Sequence, residues 1–415
     1  MPRMSPVRRV GAMIVALAVS LGATACSPDA TSTVQLPAQV DAELSAGVTG
    51  ELRAAVEDAM TATGSPGALV GVWVPWAGVW TEGLGMTGPG GDTPTTDLRF
   101  KATRVTRAMT CDVLYALVAE GVVGMDDSVT TWLPGYPGLE GVTLRQLCDS
   151  TSGLRAYESE LQGRWLANPT RVWNPKELVA YGASQGLAFS PGSAFGDTDT
   201  AYVLLGMALA KATGKTEAEL FDEYVFEPIG MDSSSLPDTM PDSSVLPGYR
   251  SDNVDGEPDC IDPNDYTALS PSAGSTAGGV VSDLDDLARY AQATALGLRS
   301  FDDSRLENPV TISSKQPAWF TAGGGLYRAG DLVGQYGSLP GYMTAAFADR
   351  TTGLTVVVVL NNSRASTTLM RALGWQLAAI ASKAPAAEGN ATPETGYPWT
   401  PSDMAAQVAE RAVCS

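Results

Sequence analysis

Histidine is absent from all 415 residues. Its absence excludes an imidazole general base and every zinc site that relies on histidine. Cysteine is scarce: the chain holds five, at no C-x-x-C spacing, so no thiolate metal cluster is expected. Positive charge is also short, with 26 Lys and Arg against 46 Asp and Glu, a formal net charge of −20. A surface this acidic is not expected to bind nucleic acid or anionic lipid. No apolar run is long enough to span a bilayer. Internal repeats are missing, and no Ser-x-x-Lys pair occurs anywhere.

What is present suits one large domain, or a domain carrying an inserted subdomain. Apolar residues make up 44%, enough for a sizeable core. Residues 1–25 read as a leader: Arg3, Arg8 and Arg9, then an apolar run from Val10 to about Leu21, then small residues. Leu21-Gly-Ala-Thr-Ala-Cys26 resembles a lipobox, in which Cys26 is lipidated and becomes the mature N-terminus. Plain secretion, or an ordinary Cys26 thiol, is the alternative. Residues 26–46, rich in Ser, Thr, Pro and Ala, read as a flexible tether. Without the leader's three Arg the balance is 23 basic against 46 acidic, or −23. Cys111, Cys148, Cys260 and Cys414 form an even set in an exported chain, which predicts two disulfides with three possible pairings. Buried free thiols are the alternative.

The apolar spacing predicts helices over Val48–Thr63, Arg104–Gly121, Thr200–Ala212 and Thr368–Ser382. Strands are expected over Gly67–Val74, Gly78–Gly85, Gly323–Ala329, Tyr342–Asp349 and Leu354–Leu360, the first two joined through Pro75-Trp-Ala-Gly78. The region 125–310 reads as short helices and loops. The fold class is therefore α/β of the α+β kind: one antiparallel sheet built from both ends, flanked by terminal helices, with a mostly helical insertion. The domain is placed at 47–385 and a linker and tail at 386–415, with a short helix over Pro401–Val413 capped by Thr400. Gly83-Leu-Gly85-Met-Thr-Gly88 matches a dinucleotide fingerprint in letters only, because no helix follows it.

Several segments resemble one family. Leu98-Arg-Phe-Lys-Ala-Thr-Arg104-Val-Thr-Arg107-Ala-Met-Thr110 is similar to F-R-x-x-S-x-x-K-x-x-T, the start of the nucleophile helix in serine β-lactamases and penicillin-binding D-Ala-D-Ala carboxypeptidases. Glu120 to Pro134 resembles that family's EGKLDLDDPVSKYLP stretch. Val142 to Leu154 resembles ITIRQLLSHTSGL, and Phe189 to Gly206 resembles its F-x-P-G…Y-S-N…L-L-G segment. Ala277–Ala288 and Gly334–Gly341 complete the set, in family order over roughly 48–385. The resemblance implies a β-lactamase/transpeptidase-like fold. It also implies that Cys111 and Cys148 lie on two helices that pack together, which favours Cys111–Cys148 and Cys260–Cys414 as the pairs.

In the family a Ser attacks a carbonyl, a Lys one turn on takes its proton, a Tyr-x-Asn loop assists, and a His-x-Gly or Lys-Thr-Gly strand binds substrate. Here the nucleophile position holds Arg104 and the Lys position Arg107. Asp197 and Asp199 replace the Tyr and Asn. Gln335 replaces the strand His, and Ser150 replaces the His of the SHTSG stretch. A guanidinium is neither nucleophile nor base. The hydroxyls of Thr103, Thr106, Ser150 and Ser152 lie near the site with no Lys or His at usable spacing. The two Arg and two Asp are expected to form an ion-pair cluster that fills the cleft. The alternatives are an Asp199 helix cap with solvent-facing Arg104 and Arg107, or an anion site on the Arg pair. The expected function is that of a non-catalytic envelope lipoprotein on the outer face of the membrane, binding a cell-wall peptide or an envelope protein. A weak or displaced serine hydrolase is the competing reading, and a regulatory partner of an active relative the third. No cofactor or metal is expected, and oligomeric state is not legible.

Overall fold

The computed structural model of the chain describes residues 1–2, 34–136, 138–394 and 396–414. The body of the expected leader, the lipidation candidate Cys26 and the start of the tether lie outside these residues.

Helix α1 (Ala46–Thr63) buries Leu52, Val56 and Ala59 along one stripe and stops at Gly64, whose φ of 64° reverses the chain. Strands β1 (Gly67–Val74) and β2 (Gly78–Gly85) form the expected hairpin. The helical region follows with α2 (Val105–Ala119), α3 (Leu144–Cys148), α4 (Glu158–Ala167), α5 (Pro175–Ala183), α6 (Asp199–Thr213) and α7 (Leu284–Ala295). The chain then returns to the sheet as β3 (Val310–Thr311), β4 (Phe320–Gly323), β5 (Leu326–Ala329), β6 (Leu332–Leu339), β7 (Tyr342–Asp349) and β8 (Thr355–Leu360). It closes with α8 (Thr367–Ala381) and α9 (Pro401–Glu410).

All eight strands join one antiparallel sheet in the order β2-β1-β8-β7-β6-β5-β4-β3. The early hairpin thus joins the late strands where β1 pairs with β8, second and third from the β2 edge. Both faces are covered, so β8 reads as an unbroken valine run. Val356, Val358 and Leu360 face α1, α8 and α9, while Val357 and Val359 face the helical region. The two-residue pair Phe100–Lys101 with Val281–Ser282 holds the start of α2 against α7's lead-in.

Three expectations need correction, and one strand has no counterpart in the apolar pattern. Gly323–Ala329 is two strands, because Gly324 and Gly325 adopt φ of 57° and 75° and turn the chain back. The strand β6 carries no simple alternation, since Gly334 and Gly337 interrupt it, and the pattern did not predict it. Part of the expected tether, residues 34–45, lies against the sheet. Gln39 Nε2 donates to Val74 O at 2.8 Å, Val79 N donates to Ala42 O at 2.8 Å, and Leu44 is buried. This segment caps the open edge of β2. Finally, the described residues of the expected tail pack on the fold: Trp399, Met404 and Val408 are buried, and Trp399 Nε1 donates to Trp375 O at 3.0 Å. Disulfides Cys111–Cys148 and Cys260–Cys414 are formed, with Cα separations of 5.6 and 5.8 Å.

Candidate functional site

The site is built where α2, α4 and α6 begin. Thr103 precedes α2 with φ of 51°, and Arg104 is the helix's cap residue without supplying a side-chain cap. Its stem lies flat against Gly337 of β6, where a Cβ would meet Arg104 Cβ, Cγ and Cδ at 2.5–2.7 Å. One turn on, Arg107 is 1% exposed. Thr198, not Asp199, stands at the N-cap position of α6 without supplying a side-chain cap, and Asp199 is the first helical residue. An acid there is favoured by the helix dipole, whereas two Arg at the start of α2 oppose it.

Arg107 pairs with both Asp197 and Asp199. Arg104 pairs with Asp197 at 3.1 Å and approaches Asp199 at 3.8 Å. A third acid joins them: Glu158, the first residue of α4, accepts from Arg104 Nη2 at 3.0 Å. Nothing in the sequence motifs marked Glu158, which lies 54 residues from Arg104. The five formal charges are two positive and three negative, or −1, so the cluster as it stands does not attract a further anion. Tyr202 lies under the Arg107 guanidinium at 5.0 Å.

Burial alone would lower the pKa of Arg104 and Arg107, but Asp197 and Asp199 outweigh it and hold both above their ordinary value. Burial pushes Asp199 up, yet Arg107 and Arg104 outweigh that and hold it below the usual carboxylate range. Burial, then the neighbouring Asp199 carboxylate, push Glu158 up to about 7. Asp199 therefore keeps its charge and Glu158 is the acid that takes up a proton.

Ser150 (φ 55°) sits 2.8 Å, hydroxyl to hydroxyl, from Tyr202, which donates to Cys148 O at 3.0 Å. Burial pushes the Tyr202 phenol up to about 12, so it holds its proton at neutral pH and cannot act as Ser150's base. Gln335 spends its amide on its own chain, donating to Gly325 O and accepting from Tyr336 N, both at 2.9 Å. The Thr106 hydroxyl accepts from Val280 N, and Ser152 Oγ accepts from Leu154 N. Ser150, Phe195, Asp197, Tyr202, Tyr327 and Gln335 border a cavity of about 10 Å³, the room of a single water. Among the described residues no group of acids and cysteines is placed to hold a metal ion.

The chain carries one Gly-x-Ser-x-Gly match, Gly182-Ala-Ser184-Gln-Gly186. It lies at the exposed C-terminal end of α5, where Ser184 Oγ donates to Tyr181 O at 3.1 Å. A nucleophile elbow needs a strand-to-helix turn, so this match carries no catalytic serine.

A large antiparallel sheet between terminal helices and a helical region, with α2 opening into the cleft, defines a serine β-lactamase-like architecture. The chain belongs to the β-lactamase family: the family described as Beta-lactamase matches residues 52–379. Penicillin-binding protein 4* of Bacillus subtilis is 30% identical over 143 residues, covering 34% of this chain and 31% of that protein. A D-aminopeptidase of Cereibacter sphaeroides is 27% identical over 295 residues, covering 68% of this chain and 54% of the relative. The chain thus spans a third to a half of these curated relatives. The D-stereospecific amidohydrolase from Streptomyces sp. superimposes with a TM-score of 0.66 at 27% identity, over 75% of this chain and 94% of the other.

Proposed function

We propose that this chain is a non-catalytic member of the β-lactamase family, exported, anchored to the membrane through Cys26, and acting at the cell envelope by binding. One observation carries the reading. Arg104, standing where the family resemblance puts the nucleophile, is locked by acids of the same chain in a cleft with about 10 Å³ left. The relatives' names include a penicillin-binding protein and a D-aminopeptidase, so a cell-wall peptide or an envelope protein is the partner class proposed. Acyl transfer needs an activated nucleophile, a base and donors aimed at the oxyanion, and losing one such group alone costs orders of magnitude in rate.

The test offers purified protein a chromogenic cephalosporin, a D-amino acid amide and a short-chain nitrophenyl ester. The expected rates equal those of buffer and of Arg104→Ala. Turnover that Ser150→Ala abolishes would establish the competing reading, a hydrolase with displaced machinery. Restoring Arg104→Ser and Arg107→Lys together is expected to leave activity far below that of active relatives. Asp197, Asp199 and Gln335 still stand where proton-handling and substrate-binding groups are needed.

A further inference from the structure

Glu158 differs from the other members of the charge cluster. Asp197 and Asp199 fasten the buried Arg107 from the side of α6, and that pairing is complete without α4. Glu158 reaches the outer edge of Arg104, where the two side chains keep 19% and 23% of their exposure, and its carboxyl also meets that of Asp199. Remove its charge and the remaining four cancel: two guanidinium groups against two carboxylates. Arg104 Nη2 is then left facing the cleft mouth with no acceptor from its own chain. The guanidinium cannot retreat, because its stem is pinned on Gly337. Leu161 and Trp165 bury the inner face of α4, so turning Glu158 outward moves one side chain and not the helix. Phe195 and Tyr327 meet edge-on at 6.2 Å and border the same small cavity as Asp197.

We propose that Arg104 is a carboxylate-binding site masked by its own chain, with Glu158 occupying it until a ligand's carboxylate takes its place. This rests on the binding reading above and names the chemistry of that ligand. Exchange of one carboxylate for another leaves the charge of the cluster unchanged, and the new bond is again charge-assisted. Glu158 is suited to be the group displaced, since burial and Asp199 already push it up to about 7. The titratable and charged groups facing it are Arg104 from α2, Asp199 and Asp197 from α6 and its lead-in, and Tyr157 beside it, with Arg107 behind. As pH falls from about 8 to 6 it gains a proton, and its hold on Arg104 weakens while a small carboxylate ligand keeps its charge.

Glu158→Ala deletes a CH2–COO⁻ end, the shape of acetate, so acetate is the probe. By calorimetry at pH 8, acetate is expected to bind Glu158→Ala at least about tenfold tighter than the unmodified protein, and adding Arg104→Ala is expected to abolish the gain. In the unmodified protein, acetate binding is expected to tighten from pH 8 to pH 6. N-acetylglycine and the α-amide of N-acetylaspartic acid then separate a chain-terminal carboxylate from a side-chain one. Equal acetate affinity in all three proteins, with no pH dependence in the unmodified one, overturns the proposal. Should Glu158→Ala fail to fold, the pH series alone decides, and a flat series overturns it. A covalent penicillin adduct would instead remove the non-catalytic reading, whatever acetate does.

Discussion

Asp199 answers two guanidinium groups from one helix start, and Arg107 lies buried between it and Asp197. A buried charge stripped of one partner is costly, because the desolvation already spent is no longer offset. Asp199→Ala is expected to lower unfolding free energy by about 3–5 kcal/mol, read by urea denaturation, whereas Asp126→Ala at an exposed pair should cost about 0–1 kcal/mol. Lys101 is a second residue under strain. It is fully buried, its amine has no hydrogen-bond partner, and it lies 4.9 Å from the ring centroid of Tyr342. Burial, only partly countered by Asp265, pushes its pKa down from 10.5 to about 7. Between those values the unfolded chain holds the proton and the folded protein does not, so stability rises with pH across that window. Lys101→Met is therefore expected to stabilise the protein at pH 7 and to flatten the rise towards pH 10, as denaturation at both pH values will report.

At the scale of elements, α2 begins with a reversed polarity: two cations where a helix favours anions, corrected by acids delivered from α4 and α6. Glu158 sets a pH dependence opposite to that of Lys101. Its folded pKa is raised, so its contribution is fully present below about pH 4.5 and is lost as pH rises through about 7. Glu158→Gln is expected to match the unmodified protein near pH 4 and to exceed it in melting temperature at pH 8. The sequence revealed much of this level. The β1–β2 hairpin, α1, α6 and α8 follow from apolar spacing within a residue or two, because one periodicity dominates each. The family resemblance drew attention to Arg104, Arg107, Asp197 and Asp199, and the structure brings the four together. What stayed hidden depends on chain meeting chain far away. Glu158 has no motif of its own, β6 is broken up by glycines that other side chains and backbone need, and residues 34–45 look disordered until the edge of β2 offers hydrogen bonds.

For the whole molecule, the C-terminal segment beyond the family match is a structural strap. Tyr397 stacks on Trp399 at 5.0 Å, Trp399 stacks on Trp375 at 4.7 Å, and Cys414 is tied to Cys260 across 154 residues. Cys414→Ser frees that loop in the unfolded chain and is expected to cost about 2–4 kcal/mol, lowering the melting temperature without altering the cluster at α2. The proposed non-catalytic role belongs to the whole molecule: a β-lactamase-like fold in which Arg104 is held by acids of its own chain. Intact-mass analysis of the purified protein after incubation with a penicillin tests it most directly. The mass is expected to stay unchanged at every time point. A protein heavier by one penicillin, lost again when Ser150 is replaced by alanine, would contradict it.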